Sequence, residues 1–206
     1  MIGILLAAGF SRRFGTANKL LHNLPDGRAI AIAAAEHLIT ALPVSVAVVR
    51  ADNTILSDAL KALGFHVVYC DANASLMADS LVMADSLMMA VQYASTLSLT
   101  TKGYVIALAD MPYIAPTTIQ AVANQLSHVG GIVIPTFEGK RGHPVGFSAN
   151  YHDALLRLSG DEGAKSIVKT HADAVTLLAC EDAGILADID TLADLSNFAD
   201  KVAQPL

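Results

Sequence analysis

The chain opens on an apolar run, Ile2 to Ala8, that stops at Gly9 and gives way to a basic, glycine-punctuated loop. The run reads as a buried first strand. The loop after it holds Ser11, Arg12, Arg13 and Gly15, and Lys19 follows. Glycines let backbone amides come close to an anion, and a helix starting there would aim its N-terminal N–H groups at the same spot. Thirteen Lys plus Arg stand against nineteen Asp plus Glu in the chain, for a net charge of -6. A cationic cluster directly after a buried strand in so acidic a chain points to a polyphosphate site. The spacing is neither the Walker A pattern nor the dinucleotide fingerprint: Gly9 and Gly15 do not fit the first, Lys19 is followed by Leu20, and no G-x-G-x-x-G is present here.

Behind this start, strand-like and helix-like stretches alternate. Strands are expected over residues 2–8, 44–49, 67–70, 104–109, 131–137, 144–148 and 174–180. Helices are expected over 30–40, 53–63, 80–96, 117–127, 151–158, 164–171 and 192–202. Gly64 supplies a helix stop and Pro116 a first-turn proline. Regular alternation implies one α/β domain over residues 1–206, a Rossmann-like three-layer fold with a mainly parallel sheet and helices on both faces. Ligands of such sheets bind at the carboxyl ends of the strands. Gly9–Lys19 and Asp110 both fall at expected carboxyl ends, so they can share a crevice.

Composition excludes several classes. A chain of 206 residues that is 53% hydrophobic can bury a large core. Its apolar runs are too short for the roughly 20 residues of a membrane span, and the first run lacks the flanks of a signal peptide. The acidic balance argues against nucleic acid as partner. Cys70 and Cys180, in apolar contexts and outside any C-x-x-C, read as buried thiols in a reducing cytoplasm.

Four further features carry chemistry. Val105-Ile-Ala-Leu-Ala-Asp110-Met-Pro puts one carboxylate where a buried strand meets a loop, suited to Mg2+, which takes one or two protein carboxylates and phosphate oxygens. Glu138-Gly-Lys-Arg-Gly142-His143-Pro-Val-Gly-Phe combines a turn with cationic side chains and an imidazole set between glycine and proline. Its plainer reading is a solvated hairpin tip. Ser159-Gly160-Asp161-Glu-Gly163-Ala-Lys165 is a turn leading into a helix. In Asp188-Ile-Asp190-Thr191, Asp190 either caps the last helix or faces a metal, and spacing does not choose between them. A duplication, Met77-Ala-Asp-Ser-Leu-Val followed by Met83-Ala-Asp-Ser-Leu-Met, offers Ser80 and Ser86, with Ser86 preferred because the helix is more regular there.

Together these segments resemble the MobA-like nucleotidyltransferases, and within them the molybdenum cofactor cytidylyltransferase branch. The signature L-x-A/G-G-x-S/G-x-R-M/F-G-x-x-x-K is met by Leu6, Ala8, Gly9, Ser11, Arg13, Phe14, Gly15 and Lys19. The likeness continues through the Ser-Leu helix start, Leu108-Ala-Asp-Met-Pro, Arg141-Gly-His-Pro-Val-Gly-Phe, Gly160-Asp-Glu-Gly-Ala-Lys and Asp188-Ile-Asp-Thr. Leu6-Ala-Ala-Gly9 is more typical of CTP-using than of GTP-using relatives. Four positions depart from the pattern: Ala109 replaces a usual glycine, Asn18 stands where an Asp often precedes the lysine, and Leu192-Ala193 replaces Pro-Glu.

The resemblance implies Mg2+-dependent transfer of CMP from CTP to the terminal phosphate of molybdopterin, giving molybdopterin cytosine dinucleotide and pyrophosphate. It implies nucleotide contacts at Leu6, Ala7, Ala8, Gly9, Arg13, Lys19, Ser86 and Asp110, with Arg13, Lys19 and Asp110 catalytic. Asp110 and Asp190 would be metal ligands, and Gly142, His143, Gly160, Asp161 and Gly163 would line the acceptor side. A molybdoenzyme or its chaperone would receive the product. The rivals are transfer from GTP or to another phosphate acceptor, a non-catalytic nucleotide-binding module, and a small oxidoreductase of the same fold.

Overall fold

The structure is a computed structural model and describes residues 1–9, 14, 18–70, 79–97, 100–158 and 163–195, with backbone alone for 79–82. Its centre is an eight-stranded sheet: β1 (Ile2–Ala7), β2 (Ser45–Arg50), β3 (His66–Cys70), β4 (Gly103–Leu108), β5 (Ile132–Phe137), β6 (Lys140–Arg141), β7 (Val145–Ser148) and β8 (Val175–Ala179). The strand order is β3-β2-β1-β4-β7-β5-β6, with β8 paired to β5. The β3-β2-β1-β4 half is parallel throughout, and β8 runs parallel to β5. β7 runs antiparallel to both β4 and β5, and β6 antiparallel to β5. The expected parallel sheet therefore holds for most pairings, and the exception is the stretch from β5 to β7. There the chain turns back through a two-residue hairpin instead of crossing over through a helix.

That hairpin has a local cause. Glu138 and Gly139 both take positive φ, 49° and 76°. Two such residues in succession make the tight reversal whose twist suits antiparallel strands. Lys140 and Arg141 lie exposed on it, so the solvated hairpin tip is the correct reading for those two cations.

α-Helices cover the faces, and those wholly within the described residues are α1 (Ile30–Ala41), α2 (Thr54–Ala62), α3 (Asp79–Thr96), α4 (Pro116–Val129), α5 (His152–Leu156) and α6 (Ala164–Thr170). One core lies beneath α1, α2 and α4, around Leu5, Leu38, Leu56, Val105 and Leu126. A second lies beneath α3, α5 and α6, around Ile4, Leu87, Tyr104, Phe147 and Ile167. Three layers result, because strands buried on both faces need apolar cover on each. Asn53 caps α2 by accepting from the Leu56 amide, and Gly64 at φ 97° ends that helix region. α3 runs unbroken from Asp79, so it begins inside the first copy of the duplicated hexapeptide and takes in the whole second copy.

Two expected elements differ. The helix expected at 151–158 spans only His152–Leu156. β8 is an edge strand with Leu177 half in solvent, not a core strand: its partner is β5, and apolar composition alone does not report how many neighbours a strand has. Residues 192–195 are helical; the rest of the expected last helix lies outside the described residues.

Candidate active site

The strand order reverses between β1 and β4: from β1 the chain runs outward to β2 and β3, then returns to pair β4 on the other side of β1. Such a switch point leaves a crevice at the strands' carboxyl ends. Leu6 pairs with Leu108 across it, and the Ala109 amide donates to the Leu6 carbonyl at 3.1 Å. The ends of β1 and β4 therefore deliver Gly9 and Asp110 to one rim. Gly9 is exposed there. Ala7 and Ala8 bury their side chains in the cores, so these two can meet a ligand only through the backbone, while Leu6 is partly buried against the second core.

Lys19 sits on a single 3-10 turn, Lys19–Leu21. Asn18 caps it, its side-chain oxygen accepting from the Leu20 amide at 3.2 Å, and Leu20 anchors it in the core. The departure at Asn18 is thereby explained: an amide oxygen can do the capping work of a carboxylate. From this turn the Lys19 Nζ donates to Asp110 Oδ2 at 2.9 Å and to Asp190 Oδ1 at 3.0 Å. Lys19 is nearly buried, while the two carboxylates keep partial exposure. Burial opposes its charge, but the charges and hydrogen bonds of Asp110 and then Asp190 more than offset this, and its pKa rises. Lys19 is thus a fixed cation.

Asp190 arrives from the far end of the chain. The Ile189 amide donates to the Asp110 carbonyl at 2.9 Å, and Ile189 packs with Phe14, Leu24, Ile30 and Ala33 in a small third core. Phe14 belongs to the N-terminal motif, so this core joins that one side chain to the residue before Asp190. Asp194 accepts from the Asp190 amide, the Thr191 amide and the Thr191 hydroxyl at 3.0, 2.6 and 2.8 Å. This is the reach-back half of a capping box, three residues past Thr191. It resolves the open choice at Asp190: Asp194 does the capping, and the Asp190 carboxylate is left to face Lys19.

His143 lies on the other flank of Asp110. β7 pairs antiparallel with β4 through Val145 and Ile106, which carries His143 alongside the end of β4. Its amide donates to the Ile185 carbonyl at 3.0 Å. The residue is partly exposed, but its Nδ1 is shielded and has no hydrogen-bond partner among the described residues. Burial lowers its pKa below the usual imidazole value, Asp110 opposes that shift, and Lys165 adds to it. His143 is therefore a neutral imidazole at neutral pH. Gly142 is required by packing: a Cβ there would stand 2.3 Å from the Ile185 carbonyl oxygen. Gly163 precedes α6 with φ 50°, and the Lys165 charge on the first turn of α6 acts on His143.

Ser86 is placed elsewhere. It is 1% exposed, facing the Cys70 thiol beneath α3. Preference for Ser86 as a nucleotide contact does not fit this burial, since helical regularity puts a residue on a face without saying whether the sheet covers that face. Ser80 is described by its backbone alone. Arg13, Gly160 and Asp161 lie outside the described residues.

Sequence reasoning missed Asp182. Its carboxylate accepts from the Ala115 amide and the Thr118 hydroxyl at the start of α4, at 2.9 and 2.6 Å, and from the Gly184 amide at 2.9 Å. It clamps the 182–190 segment to the sheet's carboxyl edge. Nothing local predicts a cap for α4 lying so far along the chain. The spacing of Thr191 and Asp194, by contrast, was a readable cap signal.

The donor set suits a hard dication. Two carboxylate oxygens converge on one ammonium, and Mg2+ needs no more than one or two protein carboxylates when phosphates supply other ligands. Among the described residues no cluster of three or more His, Cys, Asp or Glu side chains is placed to hold a metal. Nor is any described helix long and apolar enough to cross a membrane.

Comparison with known proteins agrees with this fold. Over 203 residues, covering 94% of this chain and 93% of the relative, the sequence is 27% identical to nicotine blue oxidoreductase of Paenarthrobacter nicotinovorans. The fold is similar to that of Rv0371c from Mycobacterium tuberculosis, with TM-score 0.77 and 24% identity over 97% of this chain and 98% of that one. A manganese complex of Rv0371c is similar at TM-score 0.73 and 22% identity, over 97% of each chain. A nucleotidyl transferase from Methanothermobacter thermautotroptrophicus is similar at TM-score 0.75 and 18% identity, over 97% of this chain and 96% of that one. Residues 3–175 match the model of one family, which takes in the first three strands, Lys19, Asp110 and His143 alike: the chain belongs to the MobA-like NTP transferase domain family.

Proposed function

We propose that the protein transfers CMP from CTP to the terminal phosphate of molybdopterin, with a divalent cation, Mg2+, as cofactor, giving molybdopterin cytosine dinucleotide and pyrophosphate. The observation that carries this reading is the convergence of Lys19, Asp110 and Asp190 on one point at the mouth of the β1–β4 crevice. Family membership supports nucleotide transfer. The choice of CTP rests on Leu6-Ala-Ala-Gly9, and that of molybdopterin on the Arg141-to-Phe147 motif. The manganese complex of Rv0371c supports a divalent cation.

The backbone of Ala8 and Gly9 would approach the nucleotide, and Arg13 and Lys19 its phosphates. Gly142, His143 and the turn from Gly160 to Lys165 would face the acceptor. Asp110 and Asp190 would hold the cation, whose contribution is to neutralise charge on the triphosphate. The attacking atom is a phosphate oxygen, already ionised, so the transfer needs in-line positioning and charge stabilisation more than a general base. Lys19 meets that need as a fixed ammonium group. A neutral His143 can donate or accept one hydrogen bond without adding charge. The reading places the protein in the cytoplasm, with a molybdoenzyme or its chaperone as recipient.

Calorimetric titration with CTP, GTP and ATP, with and without Mg2+, followed by a pyrophosphate-release assay with molybdopterin, tests it. Metal-dependent preference for CTP and pyrophosphate formation are expected. Preference for GTP would reassign the donor, and no triphosphate binding would sink the reading. The likeness to nicotine blue oxidoreductase favours a second reading, an oxidoreductase acting on nicotine blue or a compound like it. Nicotinamide oxidation coupled to bleaching of nicotine blue would establish it.

A further inference from the structure

Lys19 occupies the position from which one cation can bridge both carboxylates. Its Nζ is 2.9 Å from Asp110 Oδ2 and 3.0 Å from Asp190 Oδ1, ordinary lengths for charge-assisted bonds. A dication such as Mg2+ approaches carboxylate oxygens to about 2.0–2.1 Å. An ion bridging these same two oxygens would meet the ammonium at close range, with like charges and overlapping space. The two cations exclude one another.

We propose that Lys19 is a built-in stand-in for the divalent cation, and that the ion enters between Asp110 and Asp190 only as the ammonium leaves them. This rests on reading those two aspartates as metal ligands. Lys19 released from the carboxylates is free to turn to a phosphate, so a triphosphate repays the displacement by giving the ammonium a new anionic partner. Metal and nucleotide then help one another to bind, to the same degree in either order. Between the carboxylates the lysine offsets one of their two negative charges and so reduces their mutual repulsion.

The test is Mn2+ binding to the nucleotide-free protein, read by electron paramagnetic resonance of the free ion. Lys19→Met should bind Mn2+ about tenfold tighter or more than wild type, the scale expected when a unit positive charge a few ångström away is removed from a partly hydrated site. Adding Asp110→Asn to that variant should abolish the gain. CTP should tighten Mn2+ binding strongly in wild type and much less in Lys19→Met. Unchanged or weaker Mn2+ binding by the folded Lys19→Met protein would overturn the proposal. Should that variant not fold, wild type labelled with 13C at the lysine ε carbons answers instead. Saturating Mg2+ should move the Lys19 signal, and a static signal while the Asp110 amide responds would overturn the proposal. The nucleotide-free titrations judge the lysine exchange alone. An exchange seen in a protein that binds no triphosphate would leave the exchange standing and refute the transferase reading.

Discussion

The Ile189 amide donates to the backbone carbonyl of Asp110 at 2.9 Å, so the peptide units flanking the two candidate metal ligands are joined directly. Asp190 therefore cannot drift relative to Asp110 without breaking a main-chain bond and pulling Ile189 from its small core. This rigid join is what allows a single lysine to serve both carboxylates.

Asp110→Asn should lower the transfer rate by about 10² to 10³, the scale for losing one well-placed electrostatic contact, while leaving the fold intact. Pyrophosphate release and circular dichroism measure the two effects separately. A variant with full activity would remove Asp110 from the catalytic machinery.

Asp182→Ala should destabilise the protein by about 1–3 kcal/mol, because the Ala115 amide and the Thr118 hydroxyl lose their acceptor. The urea midpoint should fall. Since residue 182 anchors the segment that leads to Asp190, the transfer rate should fall as well, in a protein whose Lys19 and Asp110 are untouched. Asp182→Asn, which keeps one acceptor oxygen, should recover part of both.

Gly142→Ala sets a methyl group 2.3 Å from the Ile185 carbonyl oxygen, an atom of the backbone that cannot rotate aside. A cost of about 1–3 kcal/mol is expected for such overpacking. His143 and Asp190 should be displaced relative to one another, since the Ile185 carbonyl also accepts from the His143 amide. Thermal denaturation measures the first effect, and NMR shifts of the His143 ring the second.

Cys70 is buried and Cys180 half-buried. Burial pushes the Cys70 thiol pKa up, with a smaller opposing contribution from the Ser86 hydroxyl. The folded protein therefore holds this proton to higher pH than the unfolded chain does. Stability is unaffected below the ordinary thiol range and declines as the pH rises through it toward the folded value. Cys70→Ala should flatten that alkaline decline. In native wild type, iodoacetamide should modify Cys180 well before Cys70, as mass spectrometry of the digested protein would show.

The layered α/β plan was legible because it rests on local signals: β-branched apolar runs, helix caps such as Asn53, and stops such as Gly64. Lys19 and Asp110 were legible as well, since a basic glycine loop and a strand-end carboxylate are contiguous patterns. The sequence by itself thus determined the elements and most of the charged groups. Only the tertiary structure decided their partners. The antiparallel return of β7 depends on two consecutive positive φ angles at Glu138 and Gly139, and it carries His143 to Asp110. The role of Asp190 depends on a backbone bond and a shared lysine whose partners are 91 and 171 residues away. The burial of Ser86 depends on which side of α3 meets the sheet. Each of these is set by contacts between segments remote in the chain, and periodicity or spacing along one segment carries no record of what packs against it.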